Sequence, residues 1–144
     1  MTIFADTSVL VAALVESHPA HQRTVPLLQK AHSGKAELVV STHTLAELYA
    51  VLTRLPLHPR INPQLARSLV RENVEAVAKV VPLGAREYRE VLDQLARLGL
   101  AGGVVYDALA AKAAQKAKVD RLLTLNESDF RRVWPDAGAR IATP

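Results

Sequence analysis

Cysteine is absent from the 144 residues. Disulfides, thiolate zinc sites and a cysteine nucleophile are excluded together. No apolar run approaches the roughly 20 residues needed to span a bilayer, so no membrane association is expected. Met1-Thr2-Ile3-Phe4-Ala5 runs straight into an acid, without the basic stretch that opens a secretory signal. The expected location is the cytoplasm. Histidines are few and scattered. His18 and His21 alone are close in sequence, around a proline break, with no further His or Cys placed to join them as transition-metal ligands. Internal repeats, low-complexity tracts and linkers are also lacking. Residues 1–144 therefore read as one domain, long enough for a real core and too short for two.

What is present is a globular composition, 49% hydrophobic and 22% charged, unlike that of a disordered chain. Eighteen basic residues face 14 acidic ones, for a net charge of +4. Gathering several of the acids into one site would leave the remaining surface more basic still. A basic exterior around an acidic pocket suits a polyanion, since Lys and Arg gain affinity at phosphates through counterion release. Charge alone does not decide the point, because many basic proteins bind nothing anionic.

Short apolar runs alternate with longer helical patterns. Strands are expected at 2–5, 37–41, 79–82 and 121–125, with a fifth, edge strand at 140–142. Helices are expected at 7–16, 19–32, from Thr42 or Thr44 as cap to Leu55, from Asn62-Pro63 to about 77, and at 85–98, 104–116 and 128–133. Pro26 lies inside the second of these, where it removes a helix hydrogen bond. The alternation predicts an α/β fold, a parallel sheet of four to five short strands with helices on both faces.

In such sheets ligands bind beyond the carboxyl ends of the strands, which singles out Asp6, directly after Ile3-Phe4-Ala5. Its alternative role is N-cap of the first helix, one that Thr7 or Ser8 could also fill. Glu47 lies mid-helix with no Lys or Arg three or four residues away, although His43 stands one turn earlier; taken alone it fits a solvated helix glutamate. Asp107 is more telling. It sits in Val104-Val105-Tyr106-Asp107-Ala108-Leu109-Ala110-Ala111, a helix apolar on most sides, where a lone carboxylate is costly unless a cation compensates it. The other account places it outward in the first turn, where the helix dipole favours an anion. Thr124, Asn126 and Asp129 follow the fourth strand and share the sheet edge of Asp6, although Asp129 could simply support the start of the last helix. Each plain account is respectable singly; together they require several coincidences at one edge of one sheet.

Four segments in this order carry a family likeness: FADTSVLVAAL, STHTLAELYAVLTRL, GGVVYDALAAKAA and LLTLNESDF. They resemble the PIN domain and, more narrowly, the VapC-like toxins of bacterial and archaeal toxin–antitoxin pairs, over essentially the whole chain. The resemblance implies a three-layer α/β/α fold and a metal-dependent endoribonuclease. It makes Asp6, Glu47 and Asp107 the acidic metal-binding residues, with Ser8 and Thr124 as the hydroxyls beside the metal. At the fourth acid the chain departs from the family. Asn126 stands where some PIN domains carry Asp, while Asp129 matches the acid of the terminal DF; Asp129 is the expected ligand, through water, with Asn126 as a neutral neighbour. A homodimer and a small antitoxin protein whose tail occupies the active-site groove are also implied. The apolar face of the helix from Thr44 to Leu55, with Tyr49, is a candidate contact surface, although Leu45, Leu48 and Leu52 fit core packing better.

Carboxylate-only sites suit Mg²⁺ or Mn²⁺, which take oxygen ligands and keep several waters. The expected scheme has Asp6 and Asp107 holding a first ion, Glu47 orienting or deprotonating the attacking water and Asp129 completing a second position. Arg54, Arg131 and Arg132 are expected to hold the RNA backbone. A receiver domain would need an acidic pair and a late-strand lysine. A haloacid-dehalogenase-type phosphatase would need Asp where Ser8 stands. The remaining alternatives are a PIN nuclease of RNA maturation that is not a toxin, and a PIN module that binds RNA or protein without cutting. Three retained acids speak against the second, since a pure binding module has no use for carboxylates that repel a phosphate backbone.

Overall fold

The computed structural model describes residues 1–144. Five strands, β1 (Thr2–Ala5), β2 (Glu37–Ser41), β3 (Ala78–Val81), β4 (Arg121–Leu123) and β5 (Ile141–Ala142), form one sheet in the order β3-β2-β1-β4-β5. All four pairings are parallel. Seven helices surround it: α1 (Thr7–Leu14), α2 (His21–His32), α3 (Thr42–Arg54), α4 (Pro63–Val70), α5 (Ala85–Leu98), α6 (Val104–Lys116) and α7 (Glu127–Val133).

The strands alternate between two cores. Ala5, Leu38 and Val40 join α1, α2, α3 and α4 on one face, where Leu10, Leu48 and Leu52 are fully buried. Phe4 and Val39 point the other way, into a core with Val91 and Leu95 of α5, the alanines of α6 and Phe130 of α7. This is the expected three-layer arrangement, in which helices cover both faces of a parallel sheet. Small residues at 108, 110, 111, 113 and 114 let α6 sit close against the sheet and bury most of its circumference. Ion pairs from Lys112 to Glu90 (2.7 Å) and Lys116 to Glu87 (3.0 Å) tie α6 to α5 along its outer side.

Several boundaries differ from expectation for identifiable reasons. The strand expected to reach residue 125 stops at Leu123, because the Leu125 and Asn126 amides donate to the hydroxyls of Ser8 and Thr124 (3.0 and 2.9 Å) instead of to a neighbouring strand. The cap of α3 is Ser41, not Thr42 or Thr44. Its hydroxyl accepts from the Thr44 amide at 3.0 Å, and the Thr44 hydroxyl returns to the Ser41 amide at 3.3 Å. This is a reciprocal capping box. Pro26 is tolerated inside α2 because Pro26 and Gln22, the residue whose carbonyl loses its helical partner, are both exposed, so water replaces the bond. The helix opened by Asn62 and Pro63 ends at Val70, followed by a wider π turn over Arg71–Glu75. The first helix ends at Leu14 rather than Glu16, with extended backbone at Val15.

From β1 the chain moves outward to β2 and β3, then returns to the other side of β1 to lay down β4 and β5. The direction of build reverses between β1 and β4, and the crevice beyond the carboxyl ends of these two strands is the switch point where open α/β sheets bind ligands. Asp6 follows β1 and Thr124 follows β4. Both therefore stand at that reversal.

Candidate active site

Asp6 occupies the N-cap position of α1, but its side chain makes no capping bond. Both neighbouring hydroxyls converge on one of its oxygens instead. Ser8 Oγ donates to Oδ2 at 2.7 Å and Thr124 Oγ1 donates to the same atom at 3.0 Å. The two hydroxyls are held from behind by the Leu125 and Asn126 amides, so their single protons are committed to Asp6. Asp6 is 7% exposed and Thr124 is fully buried. The carboxylate is thereby fixed in orientation by a small network joining the ends of β1 and β4, and Oδ1 receives no hydrogen bond from the protein.

Beside this network opens a cleft of about 430 Å³ whose walls include Asp6, Ser8, His18, Glu47, Asp107 and Asn126. Glu47 reaches it from α3 and Asp107 from the first turn of α6, so the three acids come from three separate elements. Glu47 is steadied by His43 one turn earlier, with Nε2 3.3 Å from its Oε2. Asp107 is half-buried. Desolvation, together with the charges of Asp6, Asp129 and Glu47, pushes its carboxyl up to about 7, against a smaller opposing pull from Arg132. Like charges held at one place disfavour ionisation in this way.

Asp129 does not line the cleft. It sits on α7, half-exposed, with Oδ1 3.7 Å from an Arg132 nitrogen, and its charge acts on Asp107. Asn126 stands on the wall itself. Of the two candidates for the fourth position, the neutral one lines the cleft and the acidic one does not.

The expected basic residues part company. Arg131 makes two bonds to Glu127 Oε1 and also donates to the carbonyls of Gly138 and Ile141, so it holds α7 to the end of the chain and is not available to a ligand. Arg132 remains beside the acids. Arg54 is exposed at the end of α3, with Nε on the Ala50 carbonyl. On the expected contact face of α3, Leu48 and Leu52 are core, whereas Tyr49 is 40% exposed.

Two features escape the sequence pattern. His18 is a cleft residue, yet not as half of a histidine pair. Its Nδ1 accepts from the Ala20 amide at 3.0 Å, while His21 Nδ1 meets the Ala12 carbonyl at 2.9 Å. Accepting at Nδ1 places the proton of a neutral ring on Nε2, so His18 brings an N–H donor to a cleft that also carries Asp6, Glu47 and Asp107. The second feature is a stack between His43 and Tyr106, with ring centroids 5.0 Å apart and planes within 3° of parallel. His43 four residues before Glu47 is a visible signal; its ring partner on a distant helix is not.

The donor set fits a hard divalent cation. Asp6 offers a free oxygen, Asp107 carries a carboxyl whose ionisation a cation would favour, and among the side chains lining the cleft every polar atom apart from those of His18 is oxygen or amide. No three acidic or histidine side chains enclose a point closely enough to cage an ion unaided. One or two carboxylates completed by waters and substrate phosphates is the usual manner of Mg²⁺.

The sequence model of the PIN domain family matches residues 3–134. The chain is 37% identical over 115 residues to ribonuclease VapC27 of Mycobacterium tuberculosis, covering 80% of this chain and 78% of that protein. It is 35% identical over 122 residues to ribonuclease VapC40 of the same organism, covering 85% and 84%. Among solved structures, VapBC2 from Rickettsia felis bound to a DNA fragment from their promoter is similar in fold, with a TM-score of 0.68 at 20% identity over 100% of this chain and 99% of that one. Mycobacterium tuberculosis VapC20, described as a sarcin–ricin loop cleaving toxin, is similar with a TM-score of 0.65 at 20% identity over 83% and 86%.

Proposed function

The chain belongs to the PIN domain family, and from that membership we propose that it is an endoribonuclease that hydrolyses phosphodiester bonds in RNA with a divalent cation, acting as the toxin of a toxin–antitoxin pair. The observation that carries the reading is the meeting of Asp6, Glu47 and Asp107 on one cleft at the switch point, with Asp6 oriented by two buried hydroxyl bonds. Relatives at 35 to 37% identity are ribonucleases by name, and the span matched by the family model, residues 3–134, includes Asp6, Glu47, Asp107 and Asp129.

Asp6 through Oδ1 and Asp107 would hold a first Mg²⁺ or Mn²⁺, and Asp129, through water, would support a second position beside Asn126. When bound, such an ion stabilises charge building up on the phosphate and makes water more acidic. The chain's own groups do the rest. Ser8 and Thr124 keep Asp6 aimed, since both hydroxyls donate to its Oδ2 and leave Oδ1 turned to the cleft's other groups. Glu47, backed by His43, is the acceptor for a proton of the attacking water. His18 offers its Nε2 hydrogen to a phosphate oxygen. Arg132 balances the acids and contributes a cation to the RNA backbone.

The antitoxin partner and a homodimer belong to the same reading. Support for the partner comes from the likeness to the VapBC2 structure. No helix is long and apolar enough to cross a membrane, and a cytoplasmic location suits an enzyme whose substrate is RNA.

The test is cleavage of RNA by the purified protein with Mg²⁺ or Mn²⁺, with EDTA, and with Asp107→Asn. The expected outcome is cleavage that needs the ion and is lost in the variant. RNA binding without cleavage, unchanged by the substitution, would overturn the reading in favour of a binding module.

A further inference from the structure

The one aromatic stack in the molecule stands beside the acids. His43 and Glu47 lie one turn apart on α3, with His43 Nε2 directed to the Glu47 carboxylate. Tyr106 immediately precedes Asp107 on α6. The Tyr106 ring lies parallel to the His43 ring at a centroid distance of 5.0 Å and remains 50% exposed. Two residues of the carboxylate site are thus joined, through their immediate neighbours, to a two-ring stack that solvent still reaches.

A tyrosine serving only to bridge two helices gains most by burying its ring between them. Tyr106 instead has one face against His43 and half its surface in water, although exposing an aromatic ring forgoes the burial that favours it. His43 is in turn held by Glu47, so the platform is backed by a group that belongs to the site. Single-stranded RNA is recognised through bases splayed onto aromatic faces, and every base has a face to offer.

We propose that Tyr106, backed by His43, is a nucleobase-stacking subsite that receives one unpaired base of the RNA next to the phosphate handled by Asp6, Glu47 and Asp107. The proposal rests on the nuclease reading and adds to it a positioning residue, Tyr106, for the base beside the cut. The subsite positions the strand by stacking and does not read base identity through hydrogen bonds. Its contribution therefore appears mainly in KM, in the range of about 5- to 150-fold that one base–aromatic stack supplies.

The probe is a single-stranded RNA oligonucleotide that the wild-type protein cuts with Mg²⁺, remade with an abasic nucleotide at each position in turn around the mapped cut. One abasic position is expected to raise the wild-type KM by roughly tenfold with a smaller change in kcat. Tyr106→Phe, which keeps the ring, should retain this discrimination. Tyr106→Leu should show a raised KM on intact RNA and no longer distinguish intact from abasic RNA, with a melting curve showing that it is folded; the half-exposed position accommodates the change. Equal cleavage of intact and abasic RNA by the wild type at every position would overturn the subsite, as would Tyr106→Leu keeping full discrimination. Absence of any cleavage by the wild type would instead remove the nuclease reading on which the subsite rests, so the two failures are separable.

Discussion

Asp107 is held in a conflict that its own chain does not resolve. Burial and three neighbouring carboxylates raise its pKa to about 7, and Arg132 offsets only part of this. An acid whose folded-state pKa lies above its unfolded value, near 3.9, binds more protons when folded over the interval between the two. Stability from this group is therefore fully present below about pH 4, falls as pH rises toward 7, and changes no further above it. Asp107→Asn removes the effect. Melting curves in EDTA at pH 5 and pH 8 should show the variant gaining on the wild type at pH 8, and Mg²⁺ should raise the wild-type Tm at pH 8 far more than at pH 5. A variant no better placed at pH 8 than at pH 5 would contradict this account. The sequence shows the apolar surroundings of Asp107, and the family likeness groups it with Asp6, Glu47 and Asp129; how strongly each of them acts on Asp107 is not written in the spacing. Neighbours along a helix can be counted by spacing, but charges on three other elements meet only through the tertiary fold. Thr124 is legible as a hydroxyl at the sheet edge of Asp6, but its direct bond to the carboxylate, across a sequence separation of 118, is not.

Among the elements, those with strong punctuation were read to the residue. The strand at 37–41 and the helices at 85–98 and 104–116 have the expected bounds. Elements were misread where side chains replaced backbone partners. Thr124 and Ser8 take amides that a longer β4 would have given to the sheet, and Ser41, read only as the end of a strand, is also the cap of α3. This dual use makes Ser41 the hinge between a buried strand and the helix that carries Glu47. Ser41→Ala should cost about 1 kcal/mol, or roughly 3 °C in Tm, while RNA cleavage at a temperature well below the melt stays close to wild type. A large loss of activity at unchanged Tm would mean that the cap also sets the position of Glu47.

Across the whole molecule, the parallel three-layer fold was legible from the alternation of elements, whereas the strand order β3-β2-β1-β4-β5 was not. Periodicity reports which residues are buried, not which strands are neighbours, so the reversal beside β1 emerges only in three dimensions. Net charge has consequences at this scale too. A chain of +4 that binds RNA through phosphate contacts should lose affinity as salt rises, with a slope of about −0.7 in log–log terms for each single-strand phosphate neutralised. Arg132→Gln should flatten the slope by about one contact. Arg131→Gln should leave the slope alone and lower Tm instead, since Arg131 spends its donors on Glu127, Gly138 and Ile141. Binding measured between about 50 and 200 mM salt with the ion held constant separates the two arginines.

The bond between Asp6 and Thr124 also governs when the protein first becomes dangerous. Asp6 leaves a ribosome well before the strand that completes its surroundings, since Thr124 follows it by 118 residues. A nascent chain that has not yet emerged past β4 has an unbraced Asp6 and no β1–β4 crevice. It is synthesised beside ribosomal RNA, messenger RNA and tRNA without the means to cut them. The topology withholds the crevice until β4 has been made and laid beside β1.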